Sequence, residues 1–198
     1  MKVFRSVLVL IILATSGITT AQETRKLGVE SNHSSILFSV PISNGITRIT
    51  GTFTDYTIDI DLVDDNWAES SISATIQVAS INTGIPGRDD HLRTADFFDV
   101  ETYPEITFVS KRIEQLDEAS FIAYGDFTMH GVTNQIEFPF TITGAASENT
   151  YGVRSRLTLN RIDYGVGADF KHSSMPNFLG EEIGVEIDFW TKKKKQKE

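Results

Sequence analysis

Apolar and polar residues alternate with a period of two along most of this chain, and amphipathic helical spacing is scarce. Such alternation is typical of β-strands that bury one face. It predicts eight strands, at Ile36–Ile42, Ile46–Leu62, Ile72–Val78, Ile106–Ser110, Phe121–Phe127, Ile136–Ile142, Val153–Leu159 and Ile183–Phe189. In the second of these, the apolar parity changes near Thr54 and Asp55, which indicates a β-bulge at that point.

Turn residues separate the strands at short intervals, for example at Ser43-Asn44-Gly45 and at His130-Gly131. Short intervals are typical of antiparallel meanders, so the fold class is all-β. One longer insert, Gly84–Asp99, predicts a loop and a short helix, Arg88–Phe98, between strands 3 and 4. Eight strands close as an up-and-down barrel or stack as a sandwich, and the alternation alone leaves both arrangements open.

The first residues have the layout of an export signal. Lys2 and Arg5 precede the apolar run Val7–Ala14, and the small residues that follow end at Ala21. The run is far shorter than the roughly 20 residues of a membrane span. We therefore expect a signal peptide over 1–21, one domain over 22–191 and a basic tail over 192–198, in a periplasmic or secreted protein.

Composition narrows the function classes. The chain has 27 acidic and 18 basic residues, and several of the basic ones lie in the signal peptide and in the tail. The acidic body would repel a phosphate backbone, which disfavours nucleic-acid binding. The absence of cysteine excludes thiol catalysis and thiolate metal sites. For the tail, two interpretations stay open: a solvated terminus, or weak contact with an anionic membrane surface.

The apolar residues on the presumed inner parity are the candidate interior of the fold. They include many of the 13 phenylalanines, which either fill a dry core or line a lipid cavity. The adjacent Phe97 and Phe98 are interpreted as a plug that closes one end or as a lid beside the cavity. The candidate interior ligand-binding residues are Phe38, Ile76, Val78, Phe97, Phe98, Phe108, Phe127, Phe138, Phe140, Leu157, Val185 and Phe189.

The most polar constellation is Arg88-Asp89-Asp90-His91. Arg88 and His91 are candidates for binding a polar headgroup, because Arg suits phosphate or carbonyl oxygens and His exchanges hydrogen bonds near neutral pH. The structural alternative is that an aspartate caps the short helix, Arg88 pairs with a carboxylate and His91 bonds to the backbone.

No residues in the sequence form a convincing catalytic or metal site. The four histidines, His33, His91, His130 and His172, are not spaced as ligands on one turn or strand. Ser34 beside His33 is the only adjacent hint of a hydrolase, and no nucleophile-elbow motif accompanies it. We predict no catalytic residues, no metal and no cofactor.

Several segments together resemble the YceI-like family of polyisoprenoid-binding, lipocalin-like periplasmic proteins. Phe127 stands where the family usually has Leu. The matching segments are His33–Val40, Ser80–Thr83, Arg88–Leu92, Asp96–Val100, Tyr103–Ser110, Gly125–Thr133, Arg161–Val166 and Ile183–Ile187.

This resemblance implies an eight-stranded antiparallel up-and-down barrel over 22–191, with the short helix between strands 3 and 4. It also implies non-catalytic binding of a long isoprenoid- or fatty-acid-like ligand inside the barrel, for transport, storage or sequestration. The alternative function is a stress-response or interaction module whose barrel is filled with side chains. A homodimer is left open.

Overall fold

The computed structural model describes residues 22–175 and 177–194. The predicted signal peptide and the last four residues of the predicted basic tail lie outside the described residues.

Most of the described chain forms strands. One α-helix, α1, spans Pro86–Arg93, and short 3-10 helices span Ser31–His33, Val78–Ser80 and Arg161–Tyr164. The strands are β1 (Thr24–Val29), β2 (Ser35–Ile42), β3 (Thr47–Phe53), β4 (Tyr56–Val63), β5 (Asn66–Gln77), β6 (Ile81–Asn82), β7 (Glu105–Gln115), β8 (Ser120–Met129), β9 (Val132–Ser147), β10 (Thr150–Asn160) and β11 (Glu182–Lys193).

The strands form a closed antiparallel barrel. The pairing runs from β1 through β4, β5, β7, β8, β9, β10 and β11, and β11 pairs with β1 to close the ring. β11 also pairs with β2, and β2 with β3, so β1–β2 and β3–β4 each act as one interrupted strand of the wall. The wall therefore has eight strand positions, which confirms the predicted number of strands and their antiparallel order.

Two interruptions mark where the wall bends. β3 ends at Phe53 and β4 begins at Tyr56, at the place where the parity change predicts a bulge. The 3-10 helix Ser31–His33 separates β1 from β2 in the same way on the neighbouring strand. Such a break bends the strand and changes which residues face inward, so that the apolar residues on both sides of the break point to the interior.

The helix is shorter than the sequence predicts. It begins at Pro86, a favoured first helical residue, and it ends at Arg93 instead of Phe98. Thr94 stops it, because this residue is extended and both its amide and its hydroxyl donate to the His91 carbonyl. Phe97 and Phe98 therefore lie in the turns after the helix.

The connections alternate between two ends because neighbouring strands are antiparallel. One end, here called the loop end, carries the 43–46 hairpin, α1 with its flanking loops, the turn at 130–131 and residues 161–181. The opposite end, the turn end, carries only tight connections, such as the Asp64–Asp65 turn, whose positive φ angles of 47° and 58° suit the twist of a hairpin.

Aromatic side chains fill the barrel near the turn end. Phe121 and Phe140 are cross-strand neighbours whose rings stack with centroids 5.2 Å apart. The Trp67 ring lies 5.9 Å from Phe140 and 5.5 Å from Tyr151. We call these four residues the aromatic plug.

Candidate functional site

An apolar cavity of about 280 Å³ occupies the barrel between the loop end and the aromatic plug. Its walls are inward-facing side chains from strands all around the barrel, including Phe38, Phe53, Ile76, Phe108 and Leu157. The side chains on the predicted inner faces of the strands therefore line this cavity. Its volume is far larger than the space that one water molecule needs.

The cavity ends at the aromatic plug. Phe140 is 3% exposed and lines the cavity, whereas Trp67 and Phe121 lie behind it and do not. Leu27, Ile60 and Leu62 do not line the cavity either, and they are completely buried. A ligand in the cavity would therefore place one terminus against Phe140.

At the loop end, an aromatic group covers the cavity. The Phe97 ring lies 5.0 Å from Phe170 and 5.1 Å from His91. Gly167, with a φ of 58°, lies so close to this group that a Cβ atom would approach the Phe97 ring to 2.6 Å. Glycine is needed at this position both for its backbone conformation and for the close approach.

The structure places nearly all predicted interior residues on the cavity wall. Val78 is the exception: it is 1% exposed but does not line the cavity, because the 3-10 helix Val78–Ser80 interrupts the strand alternation there. That any of these residues binds a ligand stays a prediction. Those that line the cavity are Phe38, Ile76, Phe97, Phe98, Phe108, Phe127, Phe138, Phe140, Leu157, Val185 and Phe189, together with Arg88 and His91.

The contacts of the polar cluster Arg88-Asp89-Asp90-His91 differ from those that the structural alternative predicts. Arg88 donates to the hydroxyl and the carbonyl of Thr83, at 2.7 and 2.9 Å, and not to a carboxylate. His91 Nε2 lies 3.1 Å from a carboxylate oxygen of Asp96, a side-chain partner where a backbone one was expected. Arg88 and His91 nevertheless both line the cavity, so their predicted contact with a headgroup stays open.

Asp89 holds the loop in front of the helix. Its carboxylate accepts hydrogen bonds from the amide and the hydroxyl of Thr83. Burial by itself would raise the pKa of Asp89, but these hydrogen bonds and the charges of Arg93 and Arg88 outweigh it and lower the pKa below its ordinary value. Asp89 therefore stays ionised and fixes the position of Thr83. Thr83 in turn accepts the hydrogen bonds that hold Arg88 in place.

Arg161 is a cavity-lining residue that the sequence analysis did not select. It is 8% exposed, and it donates to the carbonyls of Gly180, Val166 and Gly167 at 2.7–2.8 Å. Burial lowers the pKa of its guanidinium, although an arginine stays charged in proteins. One signal in the sequence does point to it: Arg161 continues the inner parity of Val153, Leu157 and Leu159.

The other histidines make local contacts. His33 packs against the Trp190 ring, His130 Nδ1 donates to the Tyr164 carbonyl at 3.1 Å, and His172 accepts from Ser174. Within residues 22–175 and 177–194, no three His, Asp or Glu side chains come together as a metal site would require. Among the same residues, no helix has the length and apolarity to cross a membrane.

Comparison with protein families gives a match over most of the chain. The model of the YceI-like domain matches residues 28–190. A UPF0312 protein of Pseudomonas putida strain GB-1 is 35% identical over 126 residues, which cover 62% of this chain and 66% of that protein. The aligned region thus spans just under two thirds of this relative.

Solved structures with the same fold include the YCEI protein of Campylobacter jejuni. It is 28% identical, with a TM-score of 0.67, and the match covers 76% of this chain and 88% of that one. A polyisoprenoid-binding domain from Saccharophagus degradans, implicated in plant cell wall breakdown, has a TM-score of 0.69 at 16% identity. That match covers 87% of this chain and all (100%) of the domain.

Proposed function

Because the YceI-like domain model matches residues 28–190, the chain belongs to that family, and we propose that it binds a long apolar ligand inside its barrel. The ligand is of the isoprenoid or fatty-acid kind, and the role is transport, storage or sequestration without catalysis. The polyisoprenoid-binding domain of Saccharophagus degradans shares the fold and supports this class of ligand.

The cavity is the observation that carries the proposal. A side-chain-filled barrel, as an interaction module would have, needs no space of 280 Å³ inside its core. Cavities in protein cores cost about 24 cal/mol per Å³, so an empty one of this size costs about 7 kcal/mol. That is comparable with the entire stability of a domain, about 5–15 kcal/mol, so an apolar occupant would stabilise the fold strongly.

The volume also indicates the size of the occupant. A cavity of about 150 Å³ accepts benzene, so at the same density a cavity of 280 Å³ holds about 11 carbon atoms. Each buried methylene contributes about 0.8 kcal/mol, and such a chain needs few polar contacts to bind tightly. A longer polyisoprenoid would enter in part, or would displace the aromatic group at the loop end.

The remaining parts of the proposal concern the setting of the protein. We extend it to export through the signal peptide over 1–21, so that the lipocalin-like barrel acts in the periplasm or outside the cell. Contact of the basic tail with a membrane surface, a homodimer and the lack of nucleic-acid binding stay predictions.

Native mass spectrometry of the purified full chain tests the proposal. We expect a copurified lipid, and a lower melting temperature after the lipid is extracted. Ala74→Phe, which places a ring in the cavity, should abolish lipid retention, whereas Val109→Phe on the exposed outer face of β7 should leave it unchanged. A protein that takes up no hydrophobic ligand, and whose melting temperature no ligand changes, would return the barrel to the interaction-module interpretation.

A further inference from the structure

The ionisable residues that line the cavity are all basic. They are Arg88, His91 and Arg161, and no Asp or Glu lines it among the described residues. This is unexpected in a chain whose formal net charge is −9. The sign of charge inside the barrel is thus opposite to that of the protein as a whole.

Arg161 is the most deeply buried of the three. Nε and both hydrogens of Nη1 are directed at backbone carbonyls. Nη2 has only the Leu179 carbonyl, at 3.5 Å, which is the outer limit of a hydrogen bond. A guanidinium has five N–H donors, so Arg161 keeps unused donor capacity on Nη2.

The charge of Arg161 is compensated only in part: the carboxylate of exposed Glu181 attracts it, but from beyond ion-pair distance. In the part of the chain that the structure describes, no carboxylate forms an ion pair with it. Backbone carbonyls offset part of the charge through their dipoles, but buried charges in proteins are as a rule paired with an opposite charge. The geometry therefore leaves room for an anion on the cavity side of Arg161.

The three basic residues lie at the same end of the cavity. A Cβ atom placed on Gly167 would lie 3.3 Å from Arg161 Nη1 and 2.6 Å from the Phe97 ring, so the guanidinium and the ring are close neighbours. The Phe97 ring in turn packs edge-on against His91, and Arg88 lies one helical turn before His91 on α1. A headgroup beneath the aromatic cover would thus have all three near it.

We propose that the ligand is a single-chain amphiphile with an anionic head, bound at the loop end by Arg161 together with Arg88 and His91. Its chain runs toward Phe140 at the closed end of the cavity. This inference rests on the proposed function and specifies the headgroup that the barrel selects. A carboxylate and a phosphate monoester share the required chemistry, because a guanidinium presents paired donors to either.

Matched ligands test the sign of the headgroup without altering the protein. Dodecanoate, dodecyl phosphate, dodecanol and dodecylamine would be titrated at about pH 8 into delipidated full-length protein, by calorimetry or probe displacement. We expect either anion to bind at least tenfold more tightly than the alcohol, and the amine to bind most weakly. Inorganic phosphate alone should bind far more weakly than dodecyl phosphate, since most of the affinity comes from the chain.

Variants then assign the preference to a residue. Arg161→Gln should remove most of the difference between acid and alcohol while the alcohol keeps its affinity within about threefold. Arg161→Lys should retain part of the preference, and it also serves if Arg161→Gln does not fold. Arg156→Gln is the matched control, because Arg156 lies on the outer face of β10 and pairs with exposed Glu186.

The outcomes separate the two proposals. Equal affinity for acid, alcohol and amine would overturn the anionic headgroup and leave the lipid-binding function standing. A preference for the acid that Arg161→Gln leaves intact would overturn the role of Arg161. Failure of all four amphiphiles to bind would overturn the proposed function itself.

Discussion

Phe140 sets the depth of the cavity, and its removal should lengthen the ligand that the barrel prefers. Its ring forms the closed end, stacked on Phe121 at 5.2 Å and packed against Trp67 at 5.9 Å. In Phe140→Ala, the space of the ring joins the cavity, and a longer chain reaches the position that the ring occupied.

The expected magnitudes follow from the burial of this ring. Truncation of a buried phenylalanine to alanine costs about 3–5 kcal/mol, which for a domain of this size lowers the melting temperature by roughly 6–20 °C in the absence of ligand. A ligand that extends four methylenes into the new space regains about 3 kcal/mol, or roughly 200-fold in affinity relative to the shorter chain.

The assay compares saturated carboxylates of 8 to 18 carbons, with affinity and melting temperature measured for each. In Phe140→Ala, the chain length of highest affinity should increase by about four carbons, and the best ligand should restore most of the lost stability. Phe121→Ala is the matched control, because it removes the other half of the stack behind the cavity wall. If both variants lose stability equally and neither changes the preferred length, Phe140 is only a core residue and the cavity does not end there.

Three further predictions concern the fold and the mature chain. Because folding lowers the pKa of Asp89, its stabilising effect is present above about pH 4 and is lost as the pH falls through the folded pKa. In denaturant titrations, Asp89→Asn should therefore cost about 1–3 kcal/mol at pH 7, and this cost should shrink as the pH falls below about 4. Gly125→Ala should cost about 1–3 kcal/mol, because its Cβ would collide with the Val109 carbonyl, whereas Gly28→Ala, whose nearest contact is 3.9 Å, should be neutral in the same titration. N-terminal sequencing of the exported protein should begin near Gln22, and an intact Met1 would contradict export through a cleaved signal.

Much of the barrel could be predicted from alternation, and the misses have local causes. β1 has too few apolar residues to show a period, and it is a strand because β4 and β11 pair with it on both sides. The first half of β5 was missed because a bulge breaks its parity between Trp67 and Ile72. There the Ser70 hydroxyl accepts a hydrogen bond from the Val63 amide and donates one to the Asn66 carbonyl.

The interior was harder to predict than the fold. Alternation indicates which side chains face inward, but whether they fill the space depends on the diameter of the closed barrel, which depends on strand pairing. Arg161 was missed because a lone arginine after a strand usually faces solvent. Its burial depends on carbonyls from the segments 166–167 and 179–180, which tertiary folding brings to it.

The two unusual features of the interior are linked through one ligand. A cavity of this size costs about 7 kcal/mol when nothing fills it, and the buried charge of Arg161, which forms no ion pair among the described residues, adds a second cost at its mouth. A neutral chain relieves only the first of these, whereas an anionic amphiphile relieves both. Since a ligand at 1,000 times its Kd stabilises a protein by about 4 kcal/mol, the melting temperature should report the loading of the barrel. At equal multiples of their Kd, the neutral and the anionic amphiphile would stabilise the protein equally. At equal concentration, however, the anionic amphiphile should raise the melting temperature more. This difference in melting temperature should disappear in Arg161→Gln.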